Sequence, residues 1–399
     1  MSKFDTPLNI LDAKVYLAWF AKIQSYDLQN GDSAIKNMVS ALYHGEHCFI
    51  VKRFSGSYKF CFQNRFQGRK EDMLLRFPIH GAVMNPWKKV EDEALVMRFI
   101  KEKTSIPIPN YYTHGVASAE FDGLGPFILM EFIPGQRLDE LLSSGDEFKS
   151  TVTEAQLNKV YEQIATIYTQ LWGLEFDRIG RLSPDPLTIK QNELECHGIK
   201  VPEMQTPPDA SVYMRELINQ SILGLRDKSC TIANEEQCRE EYLSLLSLQA
   251  IAPQMVKAEF LKGPFKLYNP DIRLGNMIAV ADYEIKAVID WDFGYVAPAQ
   301  FLYGPPLGLT LLDMLECSDD DLEAFKAGFN KFIRVLREKD ATLSGLMEEC
   351  MDNGTFWYNQ AVQESKFWQS MLKRLWTFRP APTVQDPPDN YSGWPQVSY

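Results

Sequence analysis

The spacing of hydrophobic residues changes several times along the chain, and each change marks an element. Residues 8–43 carry a helical pattern, with Asp12 and then Asp32-Ser33 as start signals and Gly45, just past Tyr43, as a stop. Three runs rich in β-branched or aromatic residues follow: "CFIVKRF" (48–54), "YKFCFQNRF" (58–66) and "DMLLRFP" (72–78). They predict strands joined by Gly-containing turns. In "WKKVEDEALVMRFIKEKTSIPIP", Val90, Ala94, Met97 and Ile100 share one helical face before Pro107 and Pro109 end it. A further strand is expected in "PFILMEFIPG" (126–135), where Pro134-Gly135 turns the chain and the composition becomes helical.

From Thr153 onward, "TEAQLNKVYEQIATIYTQLWGLEF" repeats apolar residues near a period of 3.6, with Thr153 as a capping candidate and Gly173 near the end. The stretch 183–210 is rich in Pro and polar residues and reads as a surface loop. Helical patterns return at 211–226, 235–250, 319–337 and 356–376, and the Pro-rich tail reads as an extended arm. The expected organisation is a helical extension over 1–44, a sheet-and-helix lobe over 45–135, a mostly helical lobe over 136–376 and an arm over 377–399.

Composition narrows the class. A chain of 399 residues with 45% hydrophobic, 12% aromatic and 24% charged residues has enough apolar material for about two folded lobes. The formal net charge of −12 argues against nonspecific nucleic-acid binding, which needs a surplus of Lys and Arg, and leaves room for cationic small molecules. The acidic run "CSDDDLEAF" (317–325) adds to that, unless Asp319–Asp321 simply cap a helix. The seven cysteines are odd in number and form no CxxC pair, so they read as reduced thiols, and Cys196-His197 lacks partners at metal-ligand spacing. The N-terminus does not read as a signal peptide, and no stretch approaches the roughly eighteen apolar residues of a membrane span, so a cytoplasmic protein without membrane contact is expected.

Candidate chemistry concentrates in "KLYNPDIRLGNMIAVADYEIKAVIDWDFGYVAP" (266–298), which holds Asp271, Asn276 five residues on, and Asp290 fourteen beyond that. The strands "MIAV" and "IKAVID", joined by a turn at Ala281–Glu284, would return the chain so that Asn276 and Asp290 meet at one end of a hairpin, with Asp271 just upstream. Two carboxylates and an amide there suit a divalent metal with hard oxygen ligands plus a carboxylate to accept a proton. Taken singly, Asp271 and Asn276 read as turn residues. Asp290 reads so less easily, because an unpaired carboxylate after "AVI" would be costly unless metal-bound or hydrogen-bonded. Asp292, in the string "DFG", is the second candidate for the metal position.

"GPFKLYNPDIRLGNMIAV", "AVIDWDFGYVAPAQF" and Pro305-Pro306, preceded by "SGSYKFCF", "LLRFP", "EDEALVMRFIKEKTSIPIP" and "PFILMEFIPGQRL", together resemble the aminoglycoside phosphotransferase-like family, in particular its fungal small-molecule kinase-like members, over roughly residues 45–380. The resemblance implies an α+β, protein-kinase-like fold of two lobes, with an antiparallel sheet in the N-terminal lobe and a mostly helical C-terminal lobe. It implies ATP- and Mg2+-dependent phosphorylation of a hydroxyl on a small-molecule acceptor. By the same resemblance Asp271 would be the base, and Asn276 and Asp290 the magnesium ligands. Glu93 would pair with Arg76, the strand cation. Gly56 and Ser57 would lie in the phosphate-covering turn, and Met130, Glu131, Phe132 and Ile133 would offer hinge backbone to adenine. Two positions depart from the pattern: Asn269 stands where the family commonly has His, and Arg76 where protein kinases have Lys. Both departures fit the competing expectation of a pseudokinase or ligand-binding module without turnover.

Overall fold

Helix α1 (Ala13–Leu28) and helix α2 (Asp32–Leu42) lead into β1 (Cys48–Ser55), β2 (Lys59–Phe66) and β3 (Met73–Pro78), then α3 (Pro86–Lys103), β4 (Tyr111–Ala117) and β5 (Gly125–Glu131). The computed structural model describes residues 13–28, 32–83, 85–117, 123–144, 147–182, 206–226, 235–309, 318–363 and 368–384. Asp12, the loop over 183–205 with Cys196-His197, Cys317 and the arm over 385–399 lie outside them. Contacts divide the chain into two compact units. The first is Met1–Gln136 with Ile278–Val280 and Lys286–Gly294; the second is Arg137–Met277 with Ala281–Ile285 and Tyr295–Tyr399.

In the first unit the five strands form one antiparallel sheet in the order β1-β2-β3-β5-β4. Side chains alternate between its faces, because the strand period is two. Phe60, Phe62, Phe66, Met73, Leu75, Phe77, Phe127 and Leu129 point to one face and bury there with Trp19 and Ile23 of α1 and Ile35, Met38 and Val39 of α2. The Trp19 indole N–H donates to Leu124 O at 3.0 Å, satisfying the polar edge of a ring that is otherwise in the core. The residues expected as a helical extension thus share the core of the sheet. Strand β4 was not expected from the sequence; it pairs with β5 at the sheet edge, where the half-buried "YYTHGVA" lacks an apolar alternation.

Helix α3 begins at Asn85, whose side chain accepts from the Lys88 N–H at 3.1 Å, with Pro86 at the first helical position, where its missing N–H is no loss. Val90, Ala94, Met97 and Ile100 are buried, as their spacing predicts.

The second unit opens with the short β6 (Gln136–Arg137), α4 (Leu138–Leu142), β7 (Ser143–Ser144) and β8 (Glu147–Phe148). Helix α5 (Glu154–Trp172) follows, capped by a reciprocal Thr153–Gln156 box, then α6 (Ala210–Arg226) and α7 (Glu235–Ile251). Strand β9 (Lys266–Tyr268) comes next; the hairpin strands β10 (Met277–Ala279) and β11 (Ile285–Val288) then give most of their residues to the first unit, and β12 (Tyr295–Ala297) and α8 (Ala299–Leu302) belong again to the second. The chain continues through α9 (Asp319–Lys339), α10 (Ala341–Asp352), α11 (Thr355–Gln363) and α12 (Trp368–Phe378). Strand β9 pairs antiparallel with β12, and Tyr161 and Tyr168 of α5 meet Phe332 of α9 edge-on at 6.1 and 6.4 Å. Ser318 and Asp321 form a capping box at the start of α9, so part of the acidic run serves the helix end.

The expected α+β organisation, an antiparallel-sheet N-terminal part and a mostly helical C-terminal part, is the one observed. Within the pattern over 356–376, α11 and α12 are helical as expected and residues 364–367 between them lie outside the described residues; α10 was not expected. Among the described residues no helix is long and apolar enough to cross a membrane.

Candidate active site

Phe54, Cys61, Arg76, Ile128 and His114 stand opposite one another across β1, β2, β3, β5 and β4. They form a row on the face turned away from the aromatic core. Arg76 is 6% exposed, and a buried guanidinium needs partners. It has two: the carboxylate of Glu93 on α3, and Asp290 Oδ1, 3.1 Å from Nη1. Glu93 is 3% exposed. Burial pushes the neighbouring Cys61 thiol up to about 11.

Asp290 follows β11 with φ of 68°, in the left-handed region that Asp tolerates better than bulkier residues. The turn after it is fixed by Trp291, a buried ring whose N–H donates to Val288 O at 3.0 Å, and by the Gly294 N–H donating to Trp291 O at 2.9 Å. Lys59, the first residue of β2, contacts Asp290 and lies 3.2 Å from Asp292. Lys89 on the first turn of α3 lies 3.1 Å from the other oxygen of Asp292, with its ammonium 3.5 Å from the centre of the Phe293 ring. Burial alone would push the Asp292 carboxyl up, but the charges of Lys59, Lys89 and Arg76 outweigh it and hold the group below the usual carboxylate range. A small cavity opens among Lys59, Arg76, Lys89, Glu93 and Asp292.

Gly56 and Ser57 lie in the exposed turn between β1 and β2, where the Gly56 N–H donates to Lys59 O at 2.9 Å. Met130 is buried in β5. The N–H groups of Glu131 and Phe132 donate to Asn110 O and Asp72 O, at 2.8 and 2.9 Å, so both are engaged within the unit. Ile133 follows them, half-buried. Phe132 also stacks on Phe54, with ring centroids 6.0 Å apart.

The second unit holds the other candidates, Asp271 and Asn276, in the loop after β9. Asn269 Oδ1 accepts from the Asp271 N–H at 3.0 Å, which closes an Asx turn, so the amide shapes the loop. Asn276 Nδ2 donates to Asp271 O at 2.9 Å and to Asp271 Oδ2 at 2.8 Å. Arg273 Nε donates to Asp271 Oδ1 at 2.7 Å. Asp271 is 7% exposed and has each oxygen of its carboxylate held by a different side chain. Gly275 admits the backbone to this loop: a Cβ there would come within 3.0 Å of Arg137 and Asp139 side-chain atoms. Beside the loop is a narrow pocket with aromatic walls from Tyr168, Tyr268 and Phe301 and amides from Asn269, Asn359 and Gln360; none of its lining residues is charged.

Lys59, Lys89 and Arg273 escaped the sequence reading. Lys59 and Lys89 look like ordinary surface lysines when read singly. The available signal was alternation: Lys59 falls two residues before Cys61, on the Arg76 face.

In the second unit Asn276 commits its Nδ2 to Asp271. In the first unit Asp290 Oδ1 attracts two cationic side chains, Lys59 and Arg76. Among the described residues no group of three or more His, Cys, Asp or Glu side chains is placed to hold a metal.

No family model matches the chain. A 234-residue stretch is 24% identical to the Clavilactone A biosynthesis cluster protein Y of Ampulloclitocybe clavipes, covering 56% of this chain and 54% of that protein. The chain therefore spans about half the length of this curated relative. Among solved structures it is similar to a macrolide 2'-phosphotransferase type I, with 13% identity, a TM-score of 0.46 and coverage of 87% of this chain and 98% of that one. It is also similar to a Plasmodium vivax ethanolamine kinase, with 12% identity, a TM-score of 0.48 and coverage of 84% and 82%.

Proposed function

We propose that the chain is a small-molecule kinase that transfers a phosphoryl group from ATP, with magnesium, to a hydroxyl of its acceptor. The observation that carries this reading is the clamp on Asp271: a buried carboxylate oriented by Asn276 and Arg273 in one short loop, with the Asn276 oxygen left for a cation. In this reading Asp271 orients the acceptor hydroxyl and takes its proton. Asn276 and Asp290 would hold magnesium, which supplies positive charge at the transferring phosphate oxygens. Arg76, held by Glu93, would steady the phosphates, and Gly56 and Ser57 would cover them. With the Glu131 and Phe132 amides already engaged, the adenine would take Ile133 and the carbonyls of the hinge, against the Phe54–Phe132 pair.

The uncharged, aromatic pocket beside Asp271 favours neutral acceptors carrying a ring or a short alcohol over polyamines. The biosynthesis-cluster relative supports an acceptor drawn from secondary metabolism. A protein acting on such acceptors would work in the cytoplasm, where ATP is plentiful.

The test replaces Asp271 with Asn, which keeps size and hydrogen bonding but cannot accept the proton. Turnover on hydroxylated aromatic and aliphatic acceptors is expected to fall by about 10²–10⁴ while Mg-ATP affinity changes little. Full turnover in Asp271→Asn removes Asp271 as the base. Nucleotide binding by the wild type without phosphorylation of any acceptor favours a binding module.

A further inference from the structure

The polar side chains that line the pocket beside the Asp271 loop differ in what they touch. Asn359 is engaged at both ends of its amide: Oδ1 accepts from Gln300 Nε2 at 2.6 Å, and Nδ2 donates to Gln300 O at 2.9 Å. The Tyr268 hydroxyl donates to Gln363 Oε1 at 2.8 Å, and Asn269 Oδ1 holds the Asp271 N–H. Gln360 of α11 and Tyr168 of α5 are as deeply placed, 8% and 7% exposed. Yet among the described residues neither the Gln360 amide nor the Tyr168 hydroxyl has a hydrogen-bond partner. A buried polar group left unpaired costs about 1–3 kcal/mol. Two such groups on one pocket make a site that is complete only when something polar fills it.

We propose that this pocket is the subsite for a second hydroxyl of the acceptor, read by Gln360 and Tyr168, so that the acceptor is a neutral diol or polyol and not a mono-alcohol. The inference rests on the small-molecule kinase reading and narrows its acceptor. The oxygen seated here is not the reacting one, because the Asp271 carboxylate is not among the walls; its loop contributes Asn269, Pro270 and Ile272. A free volume of about 20 Å³ admits one small group and not a whole ring. No lining side chain is charged, so an ammonium or a carboxylate would be buried there without a counter-charge. Among neutral groups, the two unpaired side chains decide, since together they offer donors and acceptors. A hydroxyl answers both kinds. A carbonyl or ether oxygen only accepts, and it leaves Gln360 Oε1 unpaired.

The probes are cyclohexanol and the 1,2-, 1,3- and 1,4-cyclohexanediols, which add one hydroxyl at three separations. Their affinities for the full chain are measured without nucleotide by saturation-transfer NMR, and their turnover by ATP consumption. The wild type is expected to bind at least one diol about 5–10-fold more tightly than cyclohexanol, the worth of one or two neutral hydrogen bonds. Gln360→Met keeps the length of the side chain, removes the amide and should abolish that preference. Tyr168→Phe should reduce it by about 2–5-fold. Because neither group has a partner to lose, both variants should melt at or above the wild-type temperature. A merely structural role would lower the melting temperature and weaken all the probes alike, and that result overturns the proposal. So does a wild type that binds no diol better than cyclohexanol, in which case the pocket holds a water only. Loss of the diol preference in Gln360→Met, without ATP consumption on any probe, sinks the kinase reading and leaves the diol site standing. ATP consumption whose diol preference survives in Gln360→Met does the reverse.

Discussion

Arg76 spans two acids at once, with one amino group on Glu93 and the other 3.1 Å from Asp290. A planar fork with separate donors does this; a single ammonium satisfies one partner well and leaves the other. Arg76→Lys is therefore expected to lower stability by about 1–3 kcal/mol, less than the roughly 3–5 kcal/mol of deleting one partner of a buried pair, because one contact survives. Urea denaturation measures it, and an unchanged midpoint would mean that the fork contributes nothing. The Arg76–Glu93 contact was expected only through a resemblance, since neither residue's local pattern points to the other. Lys59, Lys89 and Arg273 were not expected. A lysine next to a turn has the same local pattern whether it meets solvent or a carboxylate from residue 290, and only the tertiary contact tells them apart.

Helix α3 brings Lys89 and Glu93 to the cluster on adjacent turns of one face. Its start is set by Asn85, four residues before Lys89. Asn85→Ala is expected to cost about 1 kcal/mol in stability and to weaken Mg-ADP binding, since fraying of the first turn loosens Lys89 from Asp292. Thr153→Ala at the capping box of α5 should cost about the same with no effect on nucleotide affinity. Melting curves with and without Mg-ADP separate the two, and equal ligand shifts in both variants would rule out the link between α3 and the cluster. Most elements were readable because their apolar spacing agrees with their capping residues: α5 begins after Thr153 and ends at Gly173, as expected. The exceptions have physical causes. Strand β4 sits at a sheet edge, its residues neither fully buried nor regularly alternating, and α10 follows α9 through a single Asp340 that ends one helix and caps the next.

At the scale of the molecule, the first unit is built from separate stretches of chain, Met1–Gln136 and the later Ile278–Val280 and Lys286–Gly294. The cluster depends on that discontinuity: Lys59, Arg76 and Lys89 come from the early stretch, Asp290 and Asp292 from the late one. A fragment ending at Gln136 would keep the aromatic core but leave Lys59 and Lys89 without their acids. It is expected to melt below the same fragment with residues 278–294 fused through a linker, as followed by circular dichroism. Equal melting temperatures would show that the late stretch adds nothing to the sheet. The same discontinuity sets a schedule during synthesis. At about 5–20 residues per second, the ribosome delivers Gly294 some 8–30 s after Gln136. Through that interval the nascent sheet carries surplus positive charge on one face, an open target for polyanions such as ribosomal RNA until its own acids emerge.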